Sequence, residues 1–63
     1  MNIQFNLQDN VVIKELDWKG IVKAIYISEK CIQYLVRYFY NGEAKEVYLY
    51  PHELRKDEGI PKS

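Results

Sequence analysis

The sequence contains one cysteine, one histidine and one tryptophan among 63 residues, and its charges cancel. A lone cysteine excludes an internal disulfide framework, and one cysteine with one histidine cannot complete a tetrahedral metal site within one chain. Nine basic residues balance nine acidic ones, so the dense basic stripe of non-specific phosphate binding is missing. The first residues carry no basic region followed by an apolar run, and no apolar run is long enough to span a bilayer. We therefore expect a cytoplasmic protein in a reducing compartment, with no metal site, no cofactor and no membrane partner.

The length of the chain limits what it can build. A domain of this size buries only about 60% of the surface that its unfolded chain exposes, so its stability is expected to be marginal. A deep, dry catalytic cleft is hard to form inside one copy. Small domains without disulfides or metals often gain stability by pairing with another chain. These considerations predict a homo-oligomer and argue against an enzyme.

The stretch from Lys30 to Tyr50 predicts a β-hairpin about the dipeptide Asn41-Gly42. Asn-Gly between alternating apolar residues is the strongest local hairpin signal. A type I′ turn needs positive φ at both central positions, and asparagine and glycine adopt it at least cost.

Alternation of apolar residues places the remaining strands. Around Ala24 the apolar positions change from one face to the other, which predicts a bulge or sharp bend in the second strand. Pro51 is placed to open a single helical turn that ends at Leu54, and a 3₁₀ turn fits the few residues that remain. The predicted strands are Asn10–Leu16, Ile21–Ser28, Cys31–Tyr40 and Ala44–Tyr50.

The ends of the chain are expected to lie outside the main domain, which should span residues 9–56. Residues 57–63 have a polar composition typical of a flexible tail. Residues 1–8 alternate weakly and predict either an N-terminal arm or a short strand. The apolar side chains of this segment could pack on their own core or on another chain.

The hairpin divides its side chains between a core and an exposed surface. Trp18 is expected at a loop tip, either as a lid on the core or as a recognition surface. The residues expected in the core are Tyr34, Val36, Tyr38, Val47 and Leu49. The candidate partner-binding residues are Trp18, Tyr26, Arg37, Tyr40, Tyr48 and Tyr50.

Five short motifs resemble those of a known kind of small barrel. They are Asp9-Asn10-Val11-Val12, Gly20-Ile21-Val22 with Ile25, Tyr34-Leu35-Val36-Arg37-Tyr38, Asn41-Gly42-Glu43 and Glu53-Leu54. Together they resemble the SH3-like barrels of the Tudor and KOW type. This resemblance implies an all-β, SH3-like small barrel of about five bent antiparallel strands with one late 3₁₀ turn. The string YLVRYFYNGEAKEVYLYPHEL also resembles small hypothetical proteins of phages and prophages, which implies an accessory protein.

The Tudor resemblance implies one specific ligand. Tudor domains bind methylated lysine or arginine in a cage of aromatic rings by cation–π attraction, worth roughly 0.5 to 2 kcal/mol per ring. Glu43 and Glu46 could supply the acidic group that such a cage includes. The aromatic candidates for a cage are Trp18, Tyr26, Tyr40, Tyr48 and Tyr50.

A second, local resemblance concerns the residues Val47-Tyr48-Leu49-Tyr50-Pro51. They are similar to the Val-Gln-Ile-Tyr-Pro stretch of the plasmid-borne, trimethoprim-resistant type of dihydrofolate reductase, a tetramer of small barrels. The glutamine of that motif contacts both ligands, and here it is Tyr48. This replacement argues against reductase activity. The only histidine, His52, has no nucleophile near it in the sequence, so no catalytic residue is assigned.

The sequence as a whole predicts a non-enzymatic interaction module. The first-choice partner is a protein, which includes a second copy of this chain, bound through a tyrosine-rich face. Nucleic acid is the alternative partner, because rings that stack on bases contribute roughly 1 to 3 kcal/mol each beside cations that contact phosphates. The cations available for such a face are Lys19, Lys23, Lys30, Arg37 and Lys45.

Overall fold

A computed structural model describes residues 3–57 of the chain. The fold is all-β, with one antiparallel sheet in the strand order β4-β3-β2-β1-β5. A 3₁₀ helix, Pro51–Glu53, connects β4 to β5. Nowhere in the described part of the chain is there a helix with the length and apolar character needed to cross a membrane. The strands are β1 (Asn10–Ile13), β2 (Trp18–Ile27), β3 (Ile32–Tyr40), β4 (Glu43–Leu49) and β5 (Leu54–Lys56).

The sheet is open, so the expected closure into a barrel is wrong for this structure. Strands β4 and β5 are the two ends of the sheet and do not pair with each other. Strand β5 contains only three residues, and all three pair with β1. Such a short strand offers few backbone groups for closing the sheet against β4.

The predicted hairpin between β3 and β4 is confirmed. Asn41 has φ of 53° and Gly42 has φ of 77°, the positive values that a type I′ turn requires. The turn pairs Tyr40 with Glu43, and the register continues without a break to the pair Tyr34 and Leu49.

The predicted irregularity of β2 is also confirmed. The register between β2 and β3 shifts between Val22 and Ala24. Gly20 lies just before this bulge, at a point where the sheet is tightly packed. A Cβ atom on Gly20 would lie 2.5 Å from Cγ1 of Val36, so no larger residue fits without displacement.

The core is a cluster beneath β1, β2 and β3. Tyr34 and Val36 are fully buried, as expected, whereas Tyr38 and Leu49 are only partly buried and pack against the edge of the cluster. Leu54, directly after the 3₁₀ helix, is also buried in the core. The buried members of the cluster are Phe5, Val11, Ile13, Val22, Ile32, Tyr34, Val36 and Leu54.

The N-terminal segment packs on this core and does not form a strand within residues 3–9. The hydroxyl of Tyr34 accepts hydrogen bonds from the backbone amides of Gln4 at 3.0 Å and Phe5 at 3.3 Å. The rings of Phe5 and Tyr34 meet edge to face at 5.1 Å. Of the two alternatives for this segment, packing on its own core is the one observed for Phe5.

The largest differences from the sequence prediction concern the end of β1, the start of β2 and the last strand. Strand β1 ends at Ile13, because a turn over residues 14–17 follows, in which the amide of Asp17 donates to the carbonyl of Ile13 at 2.7 Å. Trp18 is consequently the first residue of β2, and its predicted position at a loop tip is wrong. The expected number of about five antiparallel strands is confirmed, but no strand was predicted at the position of β5. Residues 58–63 of the predicted tail lie outside the described residues. Its first residue, Asp57, is held by the domain, since its amide donates to the carbonyl of Asn10.

Candidate functional site

The register of β2, β3 and β4 assigns every side chain to one of two faces, because directly opposed residues point to the same side. The inner face carries Val22, Tyr34 and Val36 and covers the core. We call the opposite side the outer face. Its members are Ile21, Ala24, Tyr26, Gln33, Leu35, Arg37, Phe39, Ala44, Glu46 and Tyr48.

Large apolar side chains are exposed on the outer face. Phe39 is 71% exposed, Tyr26 56%, Tyr48 53% and Ile21 36%. With roughly 200 Å² per aromatic side chain, the three rings alone leave about 360 Å² in contact with solvent. This area is divided along the face, with Phe39 at one end and Tyr26 and Tyr48 towards the other.

The outer face is not flat. Tyr26 of β2, Gln33 of β3 and Tyr48 of β4 line a depression of about 310 Å³. Its lining is mainly apolar, and Gln33 lies on the middle one of the three strands that form it. A second depression of about 210 Å³ lies beside Phe39 at the other end of the face. It is lined by Asn10, Lys19, Gly20, Ile21, Arg37, Tyr38, Phe39 and Asp57.

An ion pair lies between these two ends. Arg37 Nη2 is 2.9 Å from Glu46 Oε2, and Arg37 Nε donates to the same oxygen at 3.1 Å. The two residues are directly opposed on β3 and β4, so the pair is held by the register of the hairpin. Both side chains are more than one third exposed. The centre of the outer face therefore carries one positive and one negative group and no net charge.

The structure separates the six sequence-predicted site residues into three places. Tyr26, Arg37 and Tyr48 lie on the outer face. Trp18 and Tyr40 lie on the inner side at the hairpin end of the sheet, where their rings stack at 5.2 Å with an interplanar angle of 29°. The ring of Tyr38 lies 5.5 Å from that of Trp18.

The sixth residue, Tyr50, follows the end of β4 and stacks on His52 at 5.8 Å with nearly parallel rings. The five aromatic residues considered for a methyl-binding cage therefore do not converge on one point. The rings of Trp18 and Tyr40 stack on each other, so no ammonium group fits between them.

Phe39 is the outer-face residue that the sequence interpretation missed. It is the most exposed of the large apolar side chains in the described part of the chain. The sequence contains the information to find it, because Phe39 is two residues beyond Arg37, and alternate residues of a strand lie on the same face. Gln33 follows from the same alternation, four residues before Arg37.

The cations near this surface are interleaved with carboxylates. Besides the pair of Arg37 with Glu46, Lys45 lies 3.3 Å from Glu43. At the β5 edge, Arg55 lies 3.1 Å from Asp17, and Lys56 lies 3.5 Å from Asp9. The surface is thus one of mixed charge, and Lys19, Lys23 and Lys30 take part in none of these pairs.

Among residues 3–57 no three histidine, cysteine, aspartate or glutamate side chains are grouped as metal ligands. Cys31 is half-buried in a turn, where Ser28 Oγ donates to its carbonyl at 3.1 Å. His52 is exposed beside Tyr50.

Comparisons of the chain with protein-family models, with curated proteins and with solved structures found no match. Its function has to be argued from the geometry of its own residues.

Proposed function

We propose that this chain is a non-enzymatic interaction module that binds a protein partner through the outer face of β2, β3 and β4. The observation that carries the proposal is the exposure of Tyr26, Phe39 and Tyr48 on one side of a regular sheet. Folding does not account for this exposure, since the core lies on the other side. Protein interfaces and their binding hot spots are enriched in aromatic residues and arginine, and the outer face exposes both.

We also propose that the fold is of the SH3-like type. Support comes from the order of the five strands, from the bulge in β2 and from the 3₁₀ helix between β4 and β5. The sheet itself is open, so this assignment rests on topology and not on closure of a barrel. Sites grafted on such scaffolds vary widely, and the architecture alone does not select a ligand.

A protein is favoured over nucleic acid as the partner because of the charges. Stacking of bases on Tyr26 and Tyr48 would need free cations beside the rings for the phosphates. The cation at the centre of the face, Arg37, is already paired with Glu46. Binding to a protein through apolar rings should respond little to salt, whereas phosphate binding weakens steeply as salt rises.

The proposal is tested by photo-crosslinking with benzoylphenylalanine placed at position 39 in the full chain, with the same substitution at Leu7 as the control. Leu7 is also an exposed apolar residue, but it belongs to the N-terminal segment and is not a member of the outer face of β2, β3 and β4. We expect position 39 to form a crosslink to a protein identified by mass spectrometry, and position 7 to form none. The crosslinked protein is then purified and its binding to the chain is measured with and without Phe39→Ala.

Two results would count against the proposal. One is a lack of any protein crosslink at position 39. The other is binding of labelled single- or double-stranded oligonucleotides at low salt that is lost at moderate salt, since this would assign the face to nucleic acid.

A further inference from the structure

We infer that the protein seated on the outer face is a second copy of this chain, packed face to face about a two-fold axis. This inference rests on the proposed function and names the partner. It follows from where the projecting ring and the depression lie on β3.

Phe39 and the floor of the Tyr26–Gln33–Tyr48 depression are on the same strand and on the same face. Gln33 and Phe39 lie about 20 Å apart at the usual rise per residue of a strand. Consider two copies with their outer faces together and a two-fold axis between the sheets, at right angles to β3. If the axis crosses β3 at Val36, midway between Gln33 and Phe39, it places Phe39 of each copy over Gln33 of the other. Because the axis relates the two copies, both insertions form at once.

The side chains fit this arrangement. Phe39 is the most exposed large apolar residue of the face, and the depression it would meet is walled by the rings of Tyr26 and Tyr48. The same axis sets Tyr26 of one copy over Lys19 of the other, above the second depression. A tyrosine ring over a lysine is a favourable cation–π arrangement.

The charges also fit a second copy. The axis passes close to the ion pair of Arg37 and Glu46, so the pairs of the two copies meet as two cations and two anions. A self-complementary patch needs this balance of signs, because each surface faces its own copy. An acidic partner would be repelled by Glu46, and a basic partner by Arg37.

The size of the patch sets the expected strength. Its three rings expose about 360 Å² of surface, and each side of a standard interface buries about 800 Å². We therefore expect a reversible dimer that dissociates on dilution through the micromolar range.

Sedimentation velocity from about 10 µM to 1 mM tests the dimer. The native chain should pass from monomer to dimer over this range, and Phe39→Ala should weaken the dimer at least about thirtyfold. Phe39→Tyr, which keeps the ring, and Leu7→Ala, which removes an exposed apolar residue elsewhere, should leave association near the native value. Far-UV circular dichroism and thermal melting verify that each variant is folded.

Mixing two defective variants tests the geometry. Phe39→Ala lacks the inserted ring but keeps the depression, and the double variant Tyr26→Ala/Tyr48→Ala keeps the ring but lacks the walls. A heterodimer of the two restores one of the two insertions, so an equimolar mixture should associate more tightly than either variant alone.

A native chain that stays monomeric at 1 mM overturns the inference. A dimer that is insensitive to Phe39→Ala, or a mixture that gains nothing, also overturns it. If the chain is monomeric but benzoylphenylalanine at position 39 crosslinks a different protein, the second copy is wrong and the proposed function stands. If position 39 yields neither a dimer nor a crosslink, both are wrong.

Discussion

Replacing Tyr34 with phenylalanine removes the hydroxyl that ties the N-terminal segment to the core. That oxygen accepts hydrogen bonds from the amides of Gln4 and Phe5, and the Tyr34 side chain is fully buried. In the variant, the Gln4 amide can turn to water because this residue is exposed. The Phe5 amide cannot, since it belongs to the buried part of the segment.

The magnitude follows from these two environments. Losing a hydrogen bond whose donor can reach water costs about 1 kcal/mol, and leaving a buried donor unpaired costs roughly 1 to 3 kcal/mol. We expect Tyr34→Phe to lower the free energy of unfolding by at least about 2 kcal/mol. In a domain of this size the melting temperature should then fall by at least about 8 °C.

Urea unfolding, followed by far-UV circular dichroism at low protein concentration, measures this loss. The Phe5 amide should also exchange its hydrogen faster in the variant. Tyr40→Phe is the matched control, because the Tyr40 side chain is about half exposed, and its stability should change by less than about 0.5 kcal/mol. A Tyr34→Phe variant as stable as the native chain would refute the role assigned to this hydroxyl.

Further substitutions test the packing at Gly20, the exposed ion pair and the buried Leu54. Gly20→Ala should destabilise by about 1 to 3 kcal/mol, because its Cβ would lie 2.5 Å from a valine methyl group. A Cβ atom on Gly42 would have no neighbour within 4 Å, so Gly42→Ala should lose only about 1 kcal/mol of stability, from strain at the positive φ. Equal melting temperatures for the two variants would contradict the tight packing at Gly20. A double-mutant cycle of Arg37→Gln and Glu46→Gln should give a coupling of only about 0.2 to 1 kcal/mol that fades with salt, and a salt-independent coupling would contradict an exposed pair. Leu54→Ala should lower the free energy of unfolding, measured by urea titration, by about 2 to 5 kcal/mol. A loss well below this range would show that β5 is dispensable for the core.

The parts of the fold that the sequence predicts are those governed by local rules. Asn41 and Gly42 specify their turn because few other residues tolerate positive φ at both positions. The bulge near Ala24 follows from the change of apolar parity along β2. Pro51 opens the 3₁₀ helix where its fixed φ suits the first position.

The missed features depend on residues far apart in the chain. Strand β5 contains a single apolar residue, Leu54, and exists because it pairs with β1, about forty residues earlier. Phe5 enters the core because Tyr34 supplies both a ring and a hydroxyl. Whether the sheet closes depends on β4 and β5 meeting, which no local pattern specifies.

The candidate site was predicted by residue type but not by face. The two-residue turn pairs Tyr40 with Glu43, and counting in steps of two from this pair places Tyr48 on the side opposite to Tyr40. The sequence interpretation grouped the two tyrosines by their exposure alone. Applying the register would have replaced Tyr40 with Phe39 in the proposed surface.

If the outer face binds a second copy, backbone amide chemical shifts should change with protein concentration. Spectra of the native chain from about 20 µM to 1 mM cover the range in which a small interface should form. We expect shift changes that are largest around Gln33 and Phe39 and small in the turn over residues 14–17. Spectra that do not change with concentration, or changes centred on the Trp18 and Tyr40 rings, would contradict this expectation.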